Sequence, residues 1–298
     1  MIVLVYGKNG WISSLMEKVL NANNVKYYIS SIRVNNYEDV CSEIEFYKPT
    51  HLMSFIGRTH GEGFTTIDYL EDKSKLNINL RDNLYGPMIL AQAAKKYDIH
   101  LSYLGTGCIF TYDDIHEFGN ENTGFTEDDI PNFTGSAYST VKGYTDQLMR
   151  FNPNVLTLRI RMPISSVHSK RNFINKITSY EKICSIPNSM TVLDDFLPII
   201  LDMAKNNITG IYNFTNPGLI THNEILQMYK DIVDPKFTWK NFTLEEQSEI
   251  LKADRSNNCL DTSKIQNLYP NLMNIKESVK RVLHKMKSNK NDTNCNIS

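Results

Sequence analysis

Ile2-Val3-Leu4-Val5-Tyr6-Gly7-Lys8-Asn9-Gly10-Trp11-Ile12-Ser13 stands at the start of the chain, and its reading decides the fold. Five apolar residues in a row read as a strand buried on both faces. Two glycines then turn the chain into a helix, predicted from about Trp11 to Asn21, with Ile12, Leu15, Met16 and Val19 on its apolar face. A helix N-terminus offers free backbone N–H groups and the positive end of its dipole. Glycine lets a diphosphate approach the backbone closely. Gly7, Asn9, Gly10, Trp11 and Ile12 are therefore the candidate contacts of a dinucleotide pyrophosphate. Ser13 stands where the usual fingerprint has a third glycine, and it is small enough for close helix–strand packing. A glycine turn alone is weak evidence. Its place at the end of the first strand strengthens it.

The alternation continues outward from this unit. Strands are predicted over Lys26–Ile32, His51–Ile56, Leu101–Leu104 and Val155–Ile160. Helices are predicted over Tyr37–Tyr47, over a long stretch from about Lys73 to Tyr97, and over Tyr138–Arg150. Repeated strand–helix–strand units imply an α/β fold, a doubly wound parallel sheet of the NAD(P)-binding Rossmann type. Ligands in such sheets sit beyond the carboxyl ends of the strands. Residues 1–162 read as the NADP-binding domain, to which a strand near 211–215 returns. Residues 163–287, punctuated by Pro187, Pro198, Pro217, Pro235 and Pro270, read as a smaller substrate-binding lobe. The polar, Asn-rich residues 288–298 read as a disordered tail.

Composition narrows the function class. A formal net charge of -1 argues against a nucleic-acid surface, which needs a basic excess. The five cysteines are scattered with no CxxC pair, which points to a reducing compartment and to no metal site. No apolar run approaches a membrane span, so a soluble cytoplasmic protein is expected.

Three further features bear on chemistry. The second strand ends in Ile29-Ser30-Ser31-Ile32-Arg33 without the acid that would bind ribose hydroxyls. Arg33 can pair with a 2′-phosphate, helped by Ser30 or Ser31, which favours NADPH; otherwise it is a solvated surface cation. Tyr138-Ser139-Thr140-Val141-Lys142 puts a phenol and an ammonium four residues apart on one helix face. A nearby ammonium is expected to lower the phenol pKa and so aid proton exchange with a carbonyl. That spacing is common by chance. Thr106, in Gly105-Thr106-Gly107 directly after a strand, supplies a hydroxyl for the reacting oxygen. Arg58, in Gly57-Arg58-Thr59-His60-Gly61, follows the third strand and is expected to line the same cleft.

A glycine loop, a hydroxyl after a strand and a YxxxK, in that order, resemble the extended short-chain dehydrogenase/reductases, which act mostly on nucleotide sugars. Longer stretches resemble, within that family, the bifunctional 3,5-epimerase/4-reductases of UDP-L-rhamnose synthesis, known from plants and with a giant-virus counterpart. They include Thr106-Gly107-Cys108-Ile109-Phe110, Pro131-Asn132-Phe133-Thr134-Gly135-Ser136, Arg159-Ile160-Arg161-Met162-Pro163, Arg171-Asn172-Phe173-Ile174 and Ile186-Pro187-Asn188-Ser189-Met190-Thr191-Val192-Leu193-Asp194. The resemblance runs from Met1 to about Lys285. Tyr103-Leu104-Gly105 departs from the small residues usual before Thr106.

The resemblance implies two reactions in one site. Epimerisation at carbons 3 and 5 needs two proton-transfer groups and an acid at the 4-keto oxygen. Reduction then needs hydride from NADPH and a proton from Tyr138. From its residues alone Cys108 reads as a small buried hydrophobe. The resemblance makes it one proton-transfer group, its thiol activated by a nearby cation. Lys176 is implied as its partner, with His168 as the rival. Asn172, Thr191 and Arg255 are candidate substrate contacts: Asn172 to the pyrophosphate or sugar, backbone groups at Thr191–Leu193 to the uracil, Arg255 to the diphosphate. The expected partners are a UDP-sugar, a UDP-glucose 4,6-dehydratase upstream, and a second copy in a homodimer. A reductase without epimerase activity and a non-catalytic NADP-binding regulatory subunit are the alternatives. The intact Thr106, Tyr138 and Lys142 set speaks against the second.

Overall fold

β1 (Ile2–Tyr6) is buried because both of its faces are covered. Val3 and Val5 enter one core, Leu4 and Tyr6 the other. The computed structural model describes the backbone of residues 1–295 and the side chains of residues 1–289. After β1 come α1 (Trp11–Ala22), β2 (Lys26–Ile29), α2 (Tyr37–Tyr47) and β3 (His51–Ser54). α3 (Leu76–Leu80) and α4 (Gly86–Lys96) lead to β4 (His100–Thr106), and α5 (Ala137–Met149) leads to β5 (Val155–Ile160). Then follow α6 (Phe173–Ile177), β6 (Lys182–Ile183), α7 (Leu193–Lys205) and β7 (Gly210–Asn213), which returns to pair with β5. α8 (His222–Ile232), β8 (Lys240–Asn241), α9 (Leu244–Ile250), α10 (Ser263–Leu268) and α11 (Ile275–Cys295) complete the order.

The main sheet runs β2-β1-β3-β4-β5-β7, parallel throughout, which is the doubly wound α/β fold expected. Leu15 and Met16 of α1 and Phe196, Ile200 and Met203 of α7 cover one face. Val40 and Ile44 of α2 and Leu90, Ala91 and Ala94 of α4 cover the other. The chain steps from β1 out to β2, then crosses back to β3 on the opposite side of β1. That reversal opens a crevice at the carboxyl ends of the strands, and Gly7 lies at its edge. A further core sits outside the sheet, built from Ile174 and Ile177 of α6, Ile225 and Leu226 of α8, and Val279, Val282 and Leu283 of α11.

Two boundaries differ from expectation for local reasons. β2 stops at Ile29, not Ile32. The Ser30 hydroxyl donates to Glu43 of α2 at 2.8 Å, and a tight turn closes from Asn35 N–H to the Arg33 carbonyl. The long helix expected over Lys73–Tyr97 is interrupted by a π turn at Arg81–Tyr85. Pro87 has no N–H to give the Asn83 carbonyl four residues back, and the Thr145 hydroxyl of α5 donates to that carbonyl instead, at 2.6 Å. α11 continues through Cys295 into the stretch expected to be a disordered tail, where no glycine or proline stops it. Residues 296–298 of that expectation lie outside the described residues. No helix among the described residues is long and apolar enough to cross a membrane.

His51 and His100 face each other at the amino ends of β3 and β4, far from the crevice. Their Nε2 atoms meet the carbonyls of Ala204 and Ile208 at 3.0 and 2.8 Å. Nδ1 of His100 is buried without a partner. Burial lowers both pKa values, and His100 lowers that of His51 further. An unfolded histidine takes up its proton near pH 6.5, above the folded pair. Stability is therefore complete above that pH and is lost as pH falls from there through the folded values. Melting scans are expected to show Tm falling from pH 7 to pH 5, by about 2–4 °C per kcal/mol lost. His100→Gln should flatten the slope; an unchanged slope would show that these rings do not set it.

Candidate active site

The phosphate loop follows from backbone geometry. Gly7 has φ +119°, and a Cβ there would lie 3.2 Å from backbone and side-chain carbons of Phe55. Asn9 takes φ +68°, and the Gly10 N–H closes the turn on the Gly7 carbonyl at 2.9 Å. Gly10 caps α1 without a side-chain hydrogen bond, and no acid stands in the first turn. An anion therefore meets an uncontested helix N-terminus, and the loop fits a pyrophosphate. The Trp11 and Ile12 side chains pack on the core, so these residues offer backbone groups only. Ser13 is fully buried against the sheet, as a third small residue should be.

Beside the loop, the π turn presents Asp82 to three arginines. Arg58 and Arg81 bond it at 3.0 and 2.7 Å, and the exposed Arg33 approaches to 3.6 Å. Burial works to raise the Asp82 pKa, but the hydrogen bonds of Arg81 and Arg58 outweigh it and hold it below the usual carboxylate range. Three cations on one carboxylate leave a positive excess at the carboxyl ends of β2 and β3, which suits a further phosphate. Ser30 is not part of it, being buried and bonded to Glu43. Arg81, Asp82 and Asn83 were not expected in the site, since they lie in a stretch spaced like an ordinary helix. Asn83 accepts from the Arg58 N–H at 2.9 Å and donates to the Arg58 carbonyl at 3.0 Å.

Thr106, Cys108, Tyr138 and Lys142 come together where β4 ends against α5. The Thr106 hydroxyl oxygen accepts from the Cys108 N–H at 3.0 Å. Burial pushes the Tyr138 phenol up, the neighbouring Cys108 adds to this, and the hydrogen bond with Thr106 pulls it down. The lowering by Lys142 expected from the spacing is absent. The Lys142 ammonium donates instead to the Tyr103 hydroxyl, and burial pushes its pKa down to about 8, with Asp146 pulling it back. Helical spacing set the two side chains on one face but could not show what β4 brings to meet them.

Under Cys108 lies Arg161, fully buried and with no carboxylate partner. It donates to the carbonyls of Gly107, Ser189 and Ser256, to the Ser256 hydroxyl and to Asn188, at 2.6–3.2 Å. It places a buried positive charge close to Cys108. No local pattern in the sequence reveals it, because its partners lie up to 95 residues away.

A second cationic group lines the cleft between the loop after β3 and α6. Lys176 donates to the Thr65 carbonyl at 3.4 Å. Burial lowers its pKa, and Arg171 and Arg255 lower it further. Arg171 sits on His60, its terminal nitrogens 2.8 and 2.5 Å from the two ring nitrogens. Burial first, then Arg171, Arg58 and Lys176, bring His60 down to about 4. Arg255 bonds Asp68 at 2.5 Å and remains partly exposed. His168 is exposed and does not join this group.

Two expected substrate contacts lie elsewhere. Asn172 is fully buried, capping α6 by accepting from the Ile174 N–H and donating to the carbonyls of Ser165 and Val167. Thr191 is also fully buried, accepting from the Arg161 N–H and donating to the Phe214 carbonyl. The N–H groups of Thr191, Val192 and Leu193 are taken by Arg161, Asn216 and Ile164, so none is left for a base. Both residues brace the cleft without lining it.

No protein-family model matches the chain. Curated relatives decide the family. The chain is 48% identical over 277 residues to the bifunctional dTDP-4-dehydrorhamnose 3,5-epimerase/dTDP-4-dehydrorhamnose reductase of Arabidopsis thaliana, covering 93% of this chain and 90% of that one. The chain belongs to the bifunctional epimerase/reductases of rhamnose synthesis. This epimerase/reductase is also 53% identical over 285 residues to protein L780 of Acanthamoeba polyphaga mimivirus, covering 95% and 98% of the two chains. The crystal structure of that protein, described as a UDP-rhamnose synthase, superposes with a TM-score of 0.93 at 52% identity, over 96% of this chain and 99% of that one. A trifunctional Arabidopsis enzyme, whose name adds a UDP-glucose 4,6-dehydratase, is 46% identical over 277 residues. The match spans 93% of this epimerase/reductase and 40% of the longer protein.

Proposed function

We propose that the chain converts UDP-4-keto-6-deoxy-D-glucose to UDP-L-rhamnose, by epimerisation at carbons 3 and 5 followed by NADPH-dependent reduction of the 4-keto group. One observation supports the reading: Thr106, Cys108 and Tyr138 meet at the end of β4, with Lys142 on the same face of α5 and Arg161 buried beside them.

Gly7, Asn9, Gly10 and the backbone of Trp11 and Ile12 would hold the cofactor pyrophosphate, and Arg33 its 2′-phosphate. Tyr138 and Lys142 would stand at the nicotinamide end. When bound, NADPH supplies the hydride. Thr106 and Tyr138 bind the 4-keto oxygen, which withdraws electrons from the C–H bonds on either side. Cys108 and Lys176 enter from different elements, β4 and α6, and exchange protons at carbons 3 and 5. Burial, with Arg171 and Arg255, lowers the Lys176 pKa. Tyr138 then gives its proton to the oxygen at carbon 4. Arg58, Arg171 and Arg255 supply positive charge for the substrate diphosphate, and the core of α6, α8 and α11 forms the substrate side of the cleft. Incubation with the keto-sugar and NADPH, read by NMR, should yield UDP-L-rhamnose; no consumption of NADPH would overturn the reading.

A UDP-glucose 4,6-dehydratase would supply the substrate. A cytoplasmic setting belongs to the same reading, since Cys41, Cys108, Cys184 and Cys259 are unpaired thiols. So does a homodimer. Tyr144, Leu148 and Phe151 recur at helical spacing along α5 and just past its end, and are 65%, 41% and 79% exposed. Such a stripe suits the same stripe on a second copy. Sedimentation should give a dimer that Tyr144→Glu dissociates; a wild-type monomer would rule it out.

A further inference from the structure

We propose that Tyr103 is a positioning residue for the reduction: its hydroxyl holds the Lys142 ammonium and so fixes the donors that this ammonium offers within the site. The inference rests on the reading of Lys142 as the lysine of the reductase set.

Lys142 is 4% exposed. It lies one helical turn after Tyr138 and one before Asp146, on the same face of α5. A buried ammonium needs a polar partner. Asp146 does not serve, since its two oxygens are held by Arg159 of β5 at 2.9 and 2.8 Å. Among the described residues, the hydrogen-bond partner of Lys142 is the Tyr103 hydroxyl, brought from β4 across 39 residues of chain. The ammonium lies 4.7 Å from the Tyr103 ring centroid. The titratable groups around it are thus Tyr103 on β4, Tyr138 and Asp146 on α5, and Arg159 on β5.

Burial holds the Tyr103 phenol far above its ordinary value, with Tyr138 and Asp146 adding to this, so it stays neutral and accepts from the ammonium. An ammonium has three donors; Tyr103 takes one and two remain. Phenylalanine at 103 would keep the ring and remove the acceptor. The charged form of Lys142, already disfavoured by burial, would then be disfavoured further.

The test uses the full chain with Tyr103→Phe, and Lys142→Met beside it. NADPH affinity is read by cofactor fluorescence, reduction by its pH profile, and epimerisation by deuterium exchange into the keto-sugar. For Tyr103→Phe, affinity at pH 8.5 is expected to fall about tenfold and to stay near wild type at pH 6.5. The alkaline limb of reduction should move to lower pH, while exchange persists and shows that the fold is intact. Unchanged affinity and an unchanged limb would overturn the proposal. So would an equal loss of reduction and exchange at every pH, which marks a purely structural role. If Lys142→Met reduces normally, the reading of Lys142 fails. If it does not reduce and Tyr103→Phe behaves as wild type, only the role of Tyr103 fails. A crystal structure of the wild-type protein without added cofactor gives an independent answer. Lys142 Nζ on the Tyr103 hydroxyl is expected, and Nζ bonded elsewhere would overturn the proposal.

Discussion

Tyr138→Phe is expected to slow reduction of the 4-keto group by about 10²- to 10⁴-fold, the range for loss of a positioned general acid. The phenol is buried beside Thr106 and held in its protonated form by burial. It therefore reaches the substrate carrying the proton that oxygen 4 needs. Phenylalanine keeps the ring and its packing against β4, so the fold should survive. Deuterium exchange should fall much less if Thr106 binds the ketone oxygen as proposed. Single-turnover oxidation of NADPH measures the first effect and NMR of the keto-sugar in heavy water the second. Full reduction by the variant would remove Tyr138 from the mechanism.

Cys108→Ala should have an effect of similar size on the other half of the reaction. Exchange at carbon 3, carbon 5 or both is expected to fall by about 10²- to 10⁴-fold. The physical reason is position: Cys108 sits by Thr106 and Tyr138 at the end of β4, next to the buried Arg161. Its charge is buried beside the residue that carries the thiol, is matched by neutral acceptors, and meets no carboxylate. Lys176→Met should also impair exchange, since Lys176 is the second proton-transfer group proposed and burial lowers its pKa. Wild-type uptake in both variants would show that the proton-transfer pair is misassigned. Loss in one alone would leave that residue with a partner other than the one named.

How much of this was legible depends on how local each signal is. The run from Ile2 to Ser13 states its own structure: a two-faced strand, a turn with Gly7 and Asn9 at positive φ, and an uncapped helix start. The parallel sheet follows from repeating that unit, and Thr106, Tyr138 and Lys142 follow from their places at strand and helix ends. The π turn was hidden because Leu76, Leu80, Leu84 and Met88 keep helical spacing while Pro87 breaks the bonding. Asn172 and Thr191 looked like ligand contacts because a polar residue that caps a helix or braces a loop has the same chemistry as one that binds a sugar. Only burial separates the two. Arg161, His60 and Tyr103 act through contacts 39 to 111 residues away in the chain, which no local pattern encodes.

The central claim is that one site both epimerises and reduces. It is tested most directly by supplying UDP-4-keto-6-deoxy-D-glucose and NADPH in heavy water and assigning the product by NMR. The account predicts UDP-L-rhamnose with deuterium at carbons 3 and 5 and the cofactor's hydride at carbon 4. A reduced product of gluco or galacto configuration, with ordinary hydrogen retained at carbons 3 and 5, would contradict it.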